Sequence, residues 1–260
     1  MDKLEANTMK PVIVLKIGSS TLTAGTSRIS RGKMEDIARQ IEQLRTQYHI
    51  VLVSSGAVAT ARQFIDPKSW GDQVASKQAL SAIGQPKLMQ MYSEVFSDFD
   101  IRIAQCLMTY IDFEKEQSRN NTLNTIRELL NHQYLPIINE NDTVAVEELI
   151  VGDNDKLSAL VARLLGAKYL VLASDIDGLY DKNPHLHQDA KLLTNIRNFE
   201  DLEQYIEERK DTIGTGGMTS KVLAAKICTE EQVKVIIVNG GRNNFLVDCL
   251  NKAIPHTEFI

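Results

Sequence analysis

The 260-residue sequence predicts an α/β fold, a mostly parallel sheet covered by helices on both faces. Three observations carry that expectation. Short β-branched runs alternate with longer stretches of helical period along the whole chain. The runs are continuously apolar, as in strands buried on both sides, rather than alternating. Clusters of Lys, Gly, Ser, Asn and Asp fall where the runs end, which in a parallel α/β sheet is where ligands bind.

The expected buried strands, in order, are Val12–Leu15, Ile50–Val53, Ile101–Cys106, Leu135–Ile138, Leu170–Leu172 and Val235–Val238. Between the first two, Met34, Ile37, Ile41, Leu44 and Tyr48 step by three and four along one helix face, with Ser30 at the N-cap position. A second helix carries Leu123, Ile126, Leu129 and Leu130. A third carries Leu157, Leu160, Val161, Leu164 and Leu165, and Gly166 suits its left-handed C-terminal stop. Lys191–Lys210 is the most charged interior stretch and reads as a solvated surface helix. Without a Pro- or Ser-rich linker, residues 1–260 are expected to form one domain.

Composition narrows the function classes. Hydrophobic residues make up 43% and charged residues 24%, ordinary globular values. The 29 basic against 34 acidic residues give a net charge of −5, which argues against broad nucleic-acid binding. No apolar run has the length of a membrane span or the form of a secretory signal, so no membrane role is expected. Cys106, Cys228 and Cys249 form no metal-type pair and sit in apolar or helical stretches. Buried, reduced thiols and a cytoplasmic setting follow as the expectation.

The chemistry is written at the strand ends. Lys16-Ile17-Gly18-Ser19-Ser20 closes the first strand and offers one fixed cation with a small-residue turn, a pattern suited to phosphate but common in plain turns. Ser54-Ser55-Gly56-Ala57 ends the second and opens a helix-forming run, where unpaired N–H groups favour an anion; a simple Ser cap explains it equally well. The densest cluster follows the fourth strand, Asn139-Glu140-Asn141-Asp142 and then Gly152-Asp153-Asn154-Asp155. Such amides and carboxylates orient an ammonium group, position lysines or help hold Mg²⁺. Turn and cap chemistry accounts for either group separately but less comfortably for both. Ser174-Asp175 closes the fifth strand. Gly214-Thr215-Gly216-Gly217-Met218-Thr219-Ser220-Lys221 runs into a helix, and its glycines let backbone approach phosphate closely. Walker, dinucleotide and protein-kinase signatures are absent, and the five histidines have no metal spacing.

Taken together and in this order, those stretches resemble the amino acid kinase family. Ala75-Ser76-Lys77-Gln78, Ile83-Gly84-Gln85 and Val151-Gly152-Asp153-Asn154-Asp155 belong to the same match, which spans nearly the whole chain. The resemblance lies closest to the branch that phosphorylates the side-chain carboxylate of L-glutamate with Mg²⁺-ATP. It implies a three-layer αβα sandwich around a mainly parallel open sheet, an N-terminal part for the amino acid and a C-terminal part for ATP. By that resemblance Lys16, Asp155 and Lys221 are catalytic, the two lysines on phosphate and Asp155 orienting both. Ser55, Asp142 and Asn154 would contact glutamate. Lys16, Ser174, Asp175 and Thr215, Gly216, Gly217, Met218, Thr219, Ser220 and Lys221 would line the ATP site, and no residue is assigned to metal. The resemblance further implies proline synthesis, feedback inhibition by proline, and a homo-oligomer, a dimer or tetramer. Ser174 and Ser220 stand where many relatives carry Thr, and both changes keep the hydroxyl. Many bacterial relatives also append a C-terminal PUA domain, for which 260 residues leave no room.

Two other readings stay open on sequence grounds. One is a kinase of the same fold acting on acetylglutamate, carbamate, aspartate or UMP. The other is a non-catalytic amino-acid sensor, against which the intact Lys16, Asp155 and Lys221 argue.

Overall fold

The computed structural model describes residues 10–66, 70–71, 73–145, 154–184, 186–199, 202 and 217–260. Eight strands form one sheet: β1 (Val12–Ile17), β2 (His49–Ser54), β3 (Arg102–Met108), β4 (Tyr134–Glu140), β5 (Tyr169–Ser174), β6 (Asn195–Ile196), β7 (Lys234–Asn239) and β8 (His256–Phe259). Their spatial order is β3-β4-β2-β1-β5-β7-β8-β6. All pairings are parallel except β7–β8. The described helices are α1 (Ser19–Thr23), α2 (Arg31–Leu44), α3 (Ala57–Ala61), α4 (Val74–Ser97), α5 (Ile111–Glu114), α6 (Glu116–Asn131), α7 (Asp155–Leu165), α8 (Met218–Thr229) and α9 (Phe245–Leu250).

Strand period two divides the core into halves. Val12 and Val14 of β1 join a cluster with Ile126 of α6, Leu157 and Val161 of α7 and Val222 of α8. Ile13, Leu15 and Ile17 face the opposite way, onto Met34 and Ile37 of α2, Leu88 and Tyr92 of α4 and Phe245 of α9. Helices therefore cover both faces of a mainly parallel sheet, as the apolar strand runs require. Lys16 shares the parity of Val12 and Val14, so it belongs to the face carrying α7 and α8.

The expected helices have their expected ends. Ser30 accepts from Lys33 N at 3.2 Å to cap α2, and Gly166 closes α7 at φ 58°. Tyr48, counted on the α2 face, instead lies beyond that helix in the approach to β2. The expectation of a buried third strand is corrected: β3 is the sheet edge, and Arg102, Gln105 and Leu107 are exposed along it. Cys106, on the same strand, is half-buried, whereas burial pushes the Cys228 and Cys249 thiols up to about 12. Half of Lys191–Lys210, where a surface helix was expected, lies outside the described residues, and Asn195–Ile196 within it form β6.

Two glycines set the approach to the sheet's carboxyl end. Gly56, the residue before α3, has φ 113°, and a Cβ there would press Leu22 at 3.2 Å. Gly84 lets α4 lie directly against α3; its Cβ would fall 1.8 Å from the Ala57 carbonyl oxygen. That contact fixes the depth at which the α4 side chains reach the strand ends.

Candidate active site

The chain runs outward from β1 to β2, β3 and β4, then returns to place β5 on the other side of β1. The reversal makes β1/β5 the topological switch point, where a crevice opens beyond the carboxyl ends of the strands. Helix α7 begins in the connection that crosses this point, so its first residue arrives at the crevice.

That residue is Asp155, fully buried. Lys16 Nζ, from the end of β1, lies 2.6 Å from Asp155 Oδ1. Lys221 Nζ, one turn inside α8, lies 3.1 Å from Asp155 Oδ2, and the Ser220 hydroxyl donates to the same oxygen at 2.9 Å. Lys16 and Lys221 are themselves only 4% and 7% exposed. Burying three ionised groups is costly unless each is paired, and the shared carboxylate supplies that pairing. Two ammonium groups against one carboxylate leave an excess positive charge, to which the N-termini of α7 and α8 add their partial charges. Such an excess of positive charge favours an anion.

A chain of amides runs from this centre toward α4. Asn154 Nδ2 reaches Ser54 O at 3.2 Å, Ser55 Oγ at 3.0 Å and Asn139 Oδ1 at 2.8 Å. Asn139 Nδ2 in turn donates to Gln85 Oε1 at 2.9 Å. One turn earlier on α4, Ser81 donates to Asp142 Oδ2 at 2.5 Å. Burial holds the Asp142 carboxyl above its ordinary value, opposed by that hydrogen bond. Tyr92, two turns beyond Gln85 and fully buried, shares a 2.8 Å hydrogen bond with Ser54 at the end of β2.

Lys16, Asp155, Lys221 and Ser220 thus meet in one cluster, and Ser55 and Asn154 in the adjoining one. Asp142 joins the second through the common face of α4, where Ser81 and Gln85 are four residues apart. Ser174 is buried at the end of β5, its hydroxyl 3.1 Å from the carboxylate of the exposed Asp175. Gly217 precedes α8 as its N-cap residue and Met218 and Thr219 form its first turn. Thr215 and Gly216, like Val151-Gly152-Asp153, lie outside the described residues. Gln85, Ser81 and Tyr92 were not singled out by sequence reasoning as binding residues. Gln85 stood in the Ile83-Gly84-Gln85 match, but a polar residue on an otherwise apolar helix face was the available signal for all three.

Among the described residues no group of three or more His, Cys, Asp or Glu could hold a metal ion. Asp155 already faces two ammonium groups, so these donors suit phosphate oxygens rather than a protein-held divalent cation.

With this geometry in hand, comparison with known proteins gives the class. Residues 11–239 match the amino acid kinase family, and the chain belongs to that family. The folds agree: a UMP kinase from Ureaplasma parvum superposes with a TM-score of 0.67 over 96% of this chain and 98% of its own, at 18% identity. A carbamate kinase from Giardia lamblia also gives 0.67, over 96% and 98%, at 16% identity. Within the family, the chain is 42% identical to the glutamate 5-kinase of Pasteurella multocida over 95% of its length and 68% of that protein's. It is 39% identical to glutamate 5-kinase 2 of Pseudoalteromonas translucida, over 96% of this chain and 68% of that one.

Proposed function

We propose that this chain transfers the γ-phosphate of ATP to the γ-carboxylate of L-glutamate, giving L-glutamyl 5-phosphate and ADP. The carrying observation is the meeting of Lys16 and Lys221, 205 positions apart, on the two oxygens of Asp155 at the switch point. The similarity to named glutamate 5-kinases supports the choice of acceptor.

The chemistry needs little else. Glutamate's side chain has an unperturbed pKa near 4.3, so at neutral pH the nucleophile is already an anion and requires no general base. One γ-carboxylate oxygen attacks phosphorus, the bond to the β–γ bridging oxygen breaks, and ADP leaves with that electron pair. The obstacle is repulsion between the incoming carboxylate and the triphosphate. Lys16 and Lys221, held apart and aimed by Asp155, offset that repulsion throughout an in-line path. In this reading Mg²⁺ enters bound to the triphosphate and screens phosphate charge. Ser55, Asn154 and Asp142 hold the amino acid, with the Asp142 carboxylate suited to its ammonium group. Ser174, Asp175 and residues 215–221 border the nucleotide. A cytoplasmic place in proline synthesis, feedback by proline and a homo-oligomeric assembly complete the reading, on the strength of the sequence resemblance.

An acceptor panel tests it: glutamate, acetylglutamate, aspartate, carbamate and UMP with Mg²⁺-ATP, hydroxylamine present to trap an acyl phosphate. Glutamate alone is expected to give strong ADP release and hydroxamate. Equal or better turnover with another acceptor overturns the assignment, and binding of glutamate without turnover would make the chain a sensor.

A further inference from the structure

Far from the lysine cluster, helix α2 carries three buried polar residues on one face, Lys33, Asp36 and Gln40, between 1% and 5% exposed. They do not face solvent because residues 239–246, at the exit of β7, lie over them. Lys33 Nζ donates to the carbonyls of Gly241 at 3.3 Å and Arg242 at 3.0 Å, and lies 3.3 Å from Asp36 Oδ2. Asp36 Oδ1 accepts from Asn244 N at 3.1 Å and from Arg39 at 3.3 Å. Gln40 donates to Asp36 Oδ2 at 2.9 Å and accepts from Leu246 N at 2.6 Å. Four backbone groups of this turn and the head of α9, the Gly241 and Arg242 carbonyls and the Asn244 and Leu246 N–H groups, are therefore satisfied by three side chains some 200 positions earlier in the chain.

The same loop reaches toward the neighbouring strand exit. Arg242 Nε and Nη2 donate to the two oxygens of Asp177 at 3.0 and 2.9 Å, a bidentate pair. Asp177 lies two residues beyond Asp175, in the segment that leaves β5. Gly240 N donates to Ser174 O at 2.8 Å. A side chain at Gly240 would collide with Ala173 and Thr21, each at 2.8 Å. The β5 and β7 exits are thus joined at their base by Gly240 and at their rim by Arg242–Asp177, and the joined unit is anchored from beneath by α2.

We propose that Lys33, Asp36 and Gln40 are positioning residues for the nucleotide subsite, acting through the 240–244 loop and the Arg242–Asp177 pair to set one wall of the crevice beside Ser174 and Asp175. The inference rests on the reading that ATP occupies the carboxyl end of β5. Three polar groups kept away from water are all directed at one stretch of chain, and apolar side chains in their place would leave its backbone groups unpaired. What they supply is a fixed loop position.

The test is made at the rim, where folding is not at stake. Arg242 and Asp177 are partly exposed, 42% and 21% by side chain, so Arg242→Ala is expected to shift the melting temperature by less than about 3 °C. It is expected to raise the KM for ATP about tenfold while kcat and the KM for glutamate stay within about twofold. The exchanged pair, Asp177→Arg with Arg242→Asp, is expected to recover most of the loss. Asp36→Asn is expected to raise the KM for ATP in the same direction. An unchanged KM for ATP in Arg242→Ala overturns the inference, as does an equal rise for both substrates. Lys221→Ala, measured alongside, separates the two levels. If it abolishes turnover while Arg242→Ala is silent, only this inference falls; if it retains turnover, the site reading falls and this inference with it.

Discussion

The two ends of the sheet make opposite uses of charge. At the amino end a cavity of about 640 Å³ opens beside the starts of β2 and β4, with Lys10, Arg45 and His49 beside Ile50, Leu130 and Leu135. Its cations are spent locally: Lys10 donates to Arg45 O at 2.8 Å and Arg45 to Asp100 O at 2.9 Å. Burial and the Lys10 charge push His49 below its ordinary value, toward the neutral form. The helices flanking this cavity, α2 and α6, present their C-termini, which repel anions. At the carboxyl end the charges are organised around one centre. Two buried lysines, one shared carboxylate and two helix N-termini converge from distant parts of the chain. At the amino end the cations bond to nearby backbone carbonyls; at the carboxyl end two of them share one buried carboxylate.

Substitution separates the two ends most sharply at the lysines. Lys16→Ala or Lys221→Ala is expected to lower kcat by about two to four orders of magnitude, the scale of losing a charge stabiliser. Steady-state ADP release with saturating glutamate measures it. Asp155→Asn removes the common partner and leaves two buried cations apposed. Beyond a similar loss of turnover, it is expected to cost about 3–5 kcal/mol in urea unfolding. A variant as stable as the parent would mean that the carboxylate does not hold the pair.

At Asp142 the effect is smaller and depends on pH. Asp142→Ala is expected to raise the KM for glutamate about tenfold or more with a minor change in kcat. Because burial raises this pKa above its ordinary value of 3.8, the ionised carboxylate is lost at a higher pH than for an exposed aspartate. Falling pH should therefore raise the KM for glutamate from a higher pH than an exposed aspartate would allow, and Asp142→Asn should remove that limb. For stability the sign is opposite. The raised pKa favours the fold below 3.8, and that contribution disappears as pH rises through the raised value. At the amino end, Arg45→Ala and His49→Ala are expected to leave kcat and both KM values within about twofold. A large kinetic effect there would erase the contrast between the two ends.

Much of the carboxyl end was legible in the sequence because its residues break the local pattern. Lys16 interrupts an apolar strand, and Asn154-Asp155 stand at the head of an amphipathic helix. What could not be read was partnership across the chain. Lys33, Asp36 and Gln40 look like the wet side of α2, and only the loop from β7 makes that side buried. The exposure of β3 was equally hidden, since nothing within Ile101–Cys106 says that its strand is last in the sheet order. Gln85 reaches Asn139 because Gly84 lets α4 lie against α3, a contact no local pattern announces.

The central claim is that Lys16 and Lys221 grip one triphosphate from two sides while Asp155 keeps them in place. A crystal structure with a non-hydrolysable ATP analogue and glutamate tests it most directly. Both Nζ atoms are expected within about 3 Å of oxygens on the same phosphate tail. A triphosphate bound elsewhere, with either lysine still confined to Asp155, would contradict the account.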